Sequence, residues 1–308
     1  MRHTEIETFR AVMLMGSTHK AAAHLGVTQP AISQSLKRLQ AEAGVPLFMR
    51  TGARLMATPE AHALLKEVER VFIGMDAVEH RLRSLRDHGL NHLDISAYPA
   101  FGLSFMPRVL SRLKTTRAAL PWPQTSLQVL SSKDVRDRVA VGLSDFGLMA
   151  DEMSPQGLTH STFANLPGVA VMSQAHPLAR FKAIRMEQLA EVPFLALNPE
   201  DASRRRLEAL LAKSSLGLQV AVQTPYAASV CEMALQGLGV GVINPVTALD
   251  YASRGLVLRR LHTEVSFACL LVMPSNKVLS GIAQQLLGLM RQQLAEDMRH
   301  LQNNLQAA

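Results

Sequence analysis

Residues 21–40 read AAAHLGVTQPAISQSLKRLQ, and the folding of this stretch decides what the rest of the chain is for. Ala21, Ala22 and Leu25 suit one face of a short helix over 20–25. Gly26 stops it, because glycine accepts the left-handed backbone at low cost. Thr28 is then a fitting N-cap, and Pro30 sits in the first turn of the next helix, where a missing N–H costs little. That helix should run from 29 to about 42 with Ile32, Leu36 and Leu39 inward. Its other face would carry Gln29, Pro30, Ser33, Gln34, Lys37 and Arg38. Amide and hydroxyl groups come first and cations later. A helix that enters a DNA major groove by its N-terminal end needs this order, base-edge partners before phosphate partners.

The flanking residues extend the pattern. Ile6, Phe9, Val12 and Met13 mark a preceding amphipathic helix that Gly16 ends. Residues 45–61, VPLFMRTGARLMATPEA, predict a small β-hairpin with a Thr-Gly-Ala turn, and Arg50 and Arg54 flank the turn. A hairpin with arginines beside such a helix makes a winged helix-turn-helix. Residues 1–58 hold seven Lys/Arg against three Asp/Glu, a net of +4 out of +7 for the whole chain. Helix–Gly–helix patterns are also common in small helical domains with no nucleic-acid partner.

The specific residues are Phe9, Gly16-Ser17, Ala21-Ala22, Leu25-Gly26-Val27-Thr28-Gln29-Pro30-Ala31-Ile32-Ser33, Leu36, Leu39, Gly44-Val45-Pro46-Leu47-Phe48, Arg50 and Thr58. At this spacing the segment resembles the N-terminal domain of LysR-type transcriptional regulators. It departs from the family habit at Gln40, usually acidic, at Met49, at His62, usually glycine, and at His19, with Thr18 placed to cap the second helix one residue earlier.

Leu64, Val68, Val71, Met75, Val78, Leu82 and Leu85 follow at alternating steps of four and three, a heptad seam within residues 59–90. The bland alternative is an amphipathic helix packed on its own domain. The resemblance implies pairing of two subunits, and two recognition helices about one DNA turn apart would read a palindrome.

From Leu93 the rhythm changes to strand–helix–strand: LDISAY, a helix from about 103 to 116, SLQVLS, a helix over 133–142, then DFGLMA. A second set follows in GVAVMS, PFLALN, LQVAVQ, GVGVIN and LVLRRL. VSFACLLVMP and a helix from 279 to about 300 would return to the first lobe. This alternation predicts α/β architecture with parallel pairing. The resemblance adds a periplasmic-binding-protein-like effector domain whose two lobes are joined by two crossings. The expected division is 1–58 for DNA binding, 59–90 for the linker and dimerisation helix, and 91–308 for the effector domain. Its first lobe would take about 91–165 and 264–303, and its second about 166–263.

Open α/β sheets bind ligands beyond the carboxyl ends of their strands. Those ends supply Tyr98, Pro99, Ala100, Phe101, Gly102, Ser131, Ser132, Asp151, Asn198, Thr224, Pro225 and Asn244. Several precede helix starts, where free N–H groups favour a carboxylate, and Asp151 would balance an amino group. Ser132 and Thr224 could equally serve as N-caps alone. The set suggests a small polar anion or zwitterion. Residues 230–258 resemble regulators that sense octopine and nopaline, which implies an amino acid or an opine.

The remaining features exclude more than they add. Cys231 and Cys269 stand far apart, so neither a disulfide framework nor a metal site is expected, and a reducing cytoplasm is the natural setting. The start is too polar for a signal peptide, and no apolar run reaches a membrane span. Gly237, Gly239 and Gly241 follow a helix and precede a strand, the reverse of a phosphate loop. Arg204, Arg205 and Arg206 point around a helix rather than along one face, which suggests a solvated surface. With no HExxH pair and no GxSxG elbow, neither catalysis nor a cofactor is expected. The expected partners are duplex DNA, a small effector, further copies of the chain as a dimer or dimer of dimers, and RNA polymerase, with no membrane. The competing reading is an α/β small-molecule-binding or catalytic protein whose N-terminal helices serve assembly alone.

Overall fold

The computed structural model describes residues 3–51, 54–69, 71–72, 82, 92–275 and 278–306. The chain divides into two compact units, Met1–Leu82 and Arg83–Ala308.

In the first unit, α1 (His3–Met15), α2 (Thr18–Leu25) and α3 (Gln29–Ala43) enclose Phe9, Val12, Ala21, Ile32, Leu36 and Leu39, each at most 5% exposed. Gly26 has φ 66°, and its N–H returns to the Ala22 carbonyl, so the chain turns where a β-carbon would be strained. The cap of α2 is Ser17, one residue before the expected Thr18: its side chain accepts the Lys20 N–H. Thr28 holds the N-cap position of α3 with an extended backbone and no side-chain cap bond.

The hairpin forms as expected, with β1 (Phe48–Thr51) antiparallel to β2 (Arg54–Ala57). Gln40 accounts for its own departure from the family habit. Its Oε1 accepts the N–H groups of Leu47 and Phe48, both at 2.9 Å, and so ties the end of α3 to the first strand. A neutral amide oxygen does the work that a carboxylate would do there. Thr58 caps the next helix, α4, which is helical over 59–69 and 71–72, by accepting the Ala61 N–H. Val68, expected in the pairing seam, is instead 3% exposed inside this unit's core, and Leu64 packs against the same core. The first turns of α4 therefore use their apolar face within their own unit. Val71 and Leu82 are 52% and 63% exposed. Met75, Val78 and Leu85 lie outside the described residues.

The second unit contains two sheets. The first has the order β4–β3–β5–β13–β6: β3 (His92–Ala97), β4 (Gln124–Val129), β5 (Phe146–Ala150), β6 (Leu158–Pro167) and β13 (Ser266–Pro274). The second has the order β10–β9–β11–β7–β12–β8: β7 (Val169–Met172), β8 (Ala183–Ile184), β9 (Pro193–Leu197), β10 (Gln219–Thr224), β11 (Val240–Ile243) and β12 (Val257–Leu261). The chain passes between sheets at 167–169 and again at 261–266, the two crossings that resemblance implied.

Three strands at one side of each sheet are parallel, as the strand–helix rhythm predicts. The returning strands are not. β13 runs antiparallel to β5 and β6, and β7 runs antiparallel to β11 and β12, so both sheets are mixed. β6 had no counterpart in the sequence reading. It is an edge strand whose burial pattern lacks the two-residue alternation that marks a half-buried strand.

The helices that matter for the cleft are α5 (Pro99–Gly102), α6 (Phe105–Thr116), α7 (Ser132–Ala140), α9 (Ala202–Ala212), α10 (Ala227–Leu235) and α11 (Pro245–Ala252), with α8 (Met186–Ala190) remote from it. The last helix, α12 (Gly281–Gln306), does more than return to the first lobe. Ala283, Leu286 and Met290 enter the first lobe's core, while Leu301 enters a core of the second. Gly239 has φ 153°, and a β-carbon there would collide with the Pro193 carbonyl, so close strand approach explains that glycine. Among the described residues no helix is long and apolar enough to cross a membrane.

Candidate functional site

Helix α3 separates its residues by face. Ile32, Leu36 and Leu39 are buried, whereas Gln29, Pro30, Ser33, Gln34, Lys37 and Arg38 are all exposed. Gln29 Nε2 reaches the hydroxyl of Ser33 at 3.3 Å and that of Thr18 at 3.4 Å. One turn of the helix thus presents an amide and hydroxyls as a linked polar group at its N-terminal end, with the two cations further along. Arg50 and Arg54 lie on β1 and β2 beside the hairpin turn, and their side chains are outside the described residues.

A second site lies between the two sheets of the larger unit. A cavity of about 620 Å³ is walled by Tyr98, Pro99, Ser131, Ser132, Glu152, Asn198, Asp201, Pro225 and Tyr226, among others. A narrower recess beside it adds Ala100, Asp151, Ser203, Arg206 and Asn244. Nine of the twelve residues expected here therefore line the cleft: Tyr98, Pro99, Ala100, Ser131, Ser132, Asp151, Asn198, Pro225 and Asn244.

Three do not. Phe101 is 1% exposed and stacks edge-on against Phe105 at 5.1 Å, so it belongs to the first lobe's core. Gly102 is buried, and a β-carbon there would collide with the Val129 side chain. Thr224 stands outside the lining and accepts the Tyr226 N–H at 3.4 Å. The capping roles also shift. Ser131, not Ser132, caps α7 by accepting the Asp134 N–H at 3.2 Å, while Ser132 Oγ accepts the Ala150 N–H at 3.1 Å and so joins α7 to the end of β5. Asn244 caps α11 by accepting the Thr247 N–H at 2.8 Å.

Apart from Asp151, the charged lining is what sequence reading missed. Arg205 is exposed as expected, but Arg206 is half-buried and reaches across the cleft. It pairs with Asp151 and donates to the Ser266 carbonyl at 2.9 Å, linking α9 of the second lobe to β5 and β13 of the first. Arg204 of the same run pairs with Glu208 at 2.9 Å. Asp201 caps α9, accepting the N–H groups of Ser203 and Arg204 at 2.8 and 3.1 Å. Burial pushes the Glu152 carboxyl above the usual carboxylate range; the Ser132 hydroxyl pulls against this, and the charges of Asp201 and Asp151 add to it. Burial also raises Tyr98, with Cys269 and Glu152 contributing. The sequence signal available for Glu152 was its place directly after Asp151 at a strand end.

A polar clasp ties the lobes elsewhere. Arg108 of α6 pairs with Asp250 of α11 and, at 2.8 Å, with Asp297 of α12. Ser104 also meets Asp250.

The family model described as "LysR substrate binding domain" matches residues 86–295, and that for "Bacterial regulatory helix-turn-helix protein, lysR family" matches 3–62. The chain belongs to the LysR family. As a member it is a DNA-binding transcriptional regulator with an effector-binding domain, and LysR-family proteins are regulators, not enzymes. The alternative in which the N-terminal helices serve assembly alone is thereby set aside.

Among its relatives, the transcriptional activator protein LysR of Escherichia coli is 32% identical over 94% of this chain and 91% of that protein. The regulatory protein NocR of Agrobacterium fabrum is 29% identical over 88% and 90%. The octopine catabolism/uptake operon regulatory protein OccR of Rhizobium meliloti is 28% identical over 82% of each. Among solved structures, full-length CbnR in complex with its target DNA has the same fold, with a TM-score of 0.65, 17% identity, and 95% of this chain and 100% of that chain covered.

Proposed function

We propose that this LysR-family regulator reads an operator through the exposed face of α3 and senses an amino acid or opine in the cleft between its two sheets. Gln29, Pro30, Ser33 and Gln34 would meet base edges, and Lys37, Arg38, Arg50 and Arg54 would meet phosphates. The observation that carries this reading is the solvent-facing, preorganised polar turn at the start of α3, backed by an apolar face sunk in the core.

The division of labour is 1–58 for DNA, 59–90 for pairing, and 91–308 for the effector. Val71 and Leu82, exposed and apolar, with Met75, Val78 and Leu85, would form the pairing seam, and Leu64 and Val68 would brace it from the N-terminal core. Pairing builds a homodimer, and two dimers build a tetramer in the cytoplasm. Effector binding favours one arrangement of the two sheets, which alters subunit packing, the bend of the DNA and access of RNA polymerase. The ligand biases that equilibrium only by its differential affinity for the two arrangements. The strand-end and helix-start groups of the cleft support a zwitterion, and OccR and NocR are among the relatives.

Duplex binding measured across a salt series tests the reading. The logarithm of affinity should fall linearly with the logarithm of salt concentration, by about 0.9 per neutralised phosphate. Lys37→Ala should flatten that slope, and an unchanged slope would remove Lys37 from the phosphate contacts.

A further inference from the structure

The cleft's charge is lopsided. Among the residues lining the cavity and its recess, Asp151, Glu152, Glu200 and Asp201 are acidic, and Arg206 is the one cation. Two of these carboxylates are already engaged. Asp151 holds Arg206, and Asp201 caps α9. Glu200 is exposed at the rim.

Glu152 is different. Its Oε2 is shut off from water and has no hydrogen-bond partner, while the residue itself faces the cavity. A desolvated, unpaired carboxylate oxygen is costly, and rotation of the carboxyl toward the cavity that the residue lines would let a charged donor there remove that cost. The Ser132 hydroxyl accepts the Ala150 N–H and also favours the charged form of the Glu152 carboxyl, yet Oε2 itself takes no hydrogen bond. Arg206, the one cation in the lining, is committed to Asp151 and the Ser266 carbonyl. The cavity is of a size that suits a small metabolite.

We propose that the cleft selects a ligand whose side chain bears a protonated amine or guanidinium, beyond any α-amino group, and that Glu152 is the residue that receives that cation. This rests on the reading of the cleft as the effector site and narrows its ligand from polar metabolites in general to cationic amino acids and their conjugates. A dicarboxylate would bring further negative charge to a lining that already holds an excess.

The test uses the full-length protein with calorimetry and thermal-shift measurements. The probes are lysine, ornithine and arginine, which carry a side-chain cation, norleucine, which lacks it, and glutarate. Cationic probes should bind about ten- to a hundredfold more tightly than norleucine, the range expected for a hydrogen bond to a charged group. Glu152→Gln should abolish that preference, and Glu152→Asp, which keeps the charge but shortens the reach, should retain part of it. Equal binding of lysine and norleucine, or a preference that survives in Glu152→Gln, overturns the assignment while leaving the cleft as an effector site. If none of the probes, charged or uncharged, binds or shifts the transition, the effector-cleft reading fails and this inference with it.

Discussion

At the scale of single residues, two polar groups illustrate opposite uses of a side chain. Gln29 and Ser33 are linked to each other and open to solvent, so they lose little by exchanging that contact for a base edge. Gln29→Ala or Ser33→Ala should weaken operator binding by about 1–3 kcal/mol per lost base contact, with a much smaller loss on random duplex. Competition binding on the two DNAs checks this; equal losses on both would mean that neither side chain reads sequence. Glu152 is the opposite case, a carboxyl held where charge is costly. Its pKa lies above the value it has in the unfolded chain, so between the two values the folded state keeps a proton that the unfolded state has lost. Stability of the ligand-free protein should therefore fall as pH rises through that window. Glu152→Gln should remove this slope and raise the melting temperature at neutral pH, which a pH series of thermal unfolding curves measures.

Helix α4 buries its apolar face at its start and leaves it exposed further on. Its first turns are committed to the N-terminal core through Val68, while Val71 is half exposed one turn later. The heptad spacing was legible because apolar residues alternate at four and three. That spacing holds for a helix packed on its own unit as well as for one packed on a copy, so periodicity could not say where one role ends. Val71→Asp should shift the protein towards monomer in sedimentation with the N-terminal unit still folded; an unchanged dimer would place the pairing surface elsewhere. Gln40 makes a related point for α3. Nothing in its immediate neighbourhood in sequence announces that its amide will accept two N–H groups from residues seven and eight positions on.

Across the whole larger unit, contacts distant in sequence hold the lobes. Arg108 joins α11 and α12, and Asp297, 5% exposed, keeps Gln293 as its other partner at 2.9 Å. Arg108→Ala should destabilise this unit by about 1–3 kcal/mol, because a buried carboxylate loses its charged donor. Arg112 pairs with the solvent-exposed Glu296, and Arg112→Ala should cost much less than Arg108→Ala. Denaturant unfolding of the two variants compares them directly. Similar losses would mean that the clasp does not hold the lobes more firmly than a surface pair does.

The sequence by itself determined the helix-turn-helix, the hairpin, the α/β character of the larger unit and most of the strand ends around the cleft. Each is written in local terms: a glycine after a short apolar run, a proline in a first helical turn, a strand ending where a helix begins. It also named nine lining residues, because strand ends of parallel segments converge wherever such a sheet forms. Only the tertiary structure decided that β13 and β7 run against their neighbours, that Phe101 turns into the core, that Arg206 crosses between lobes, and that Glu152 is left with a bare oxygen. Those outcomes depend on which segments meet in space, and residues such as Arg206 and Asp151 are brought together by burial and chain crossings that no local pattern encodes.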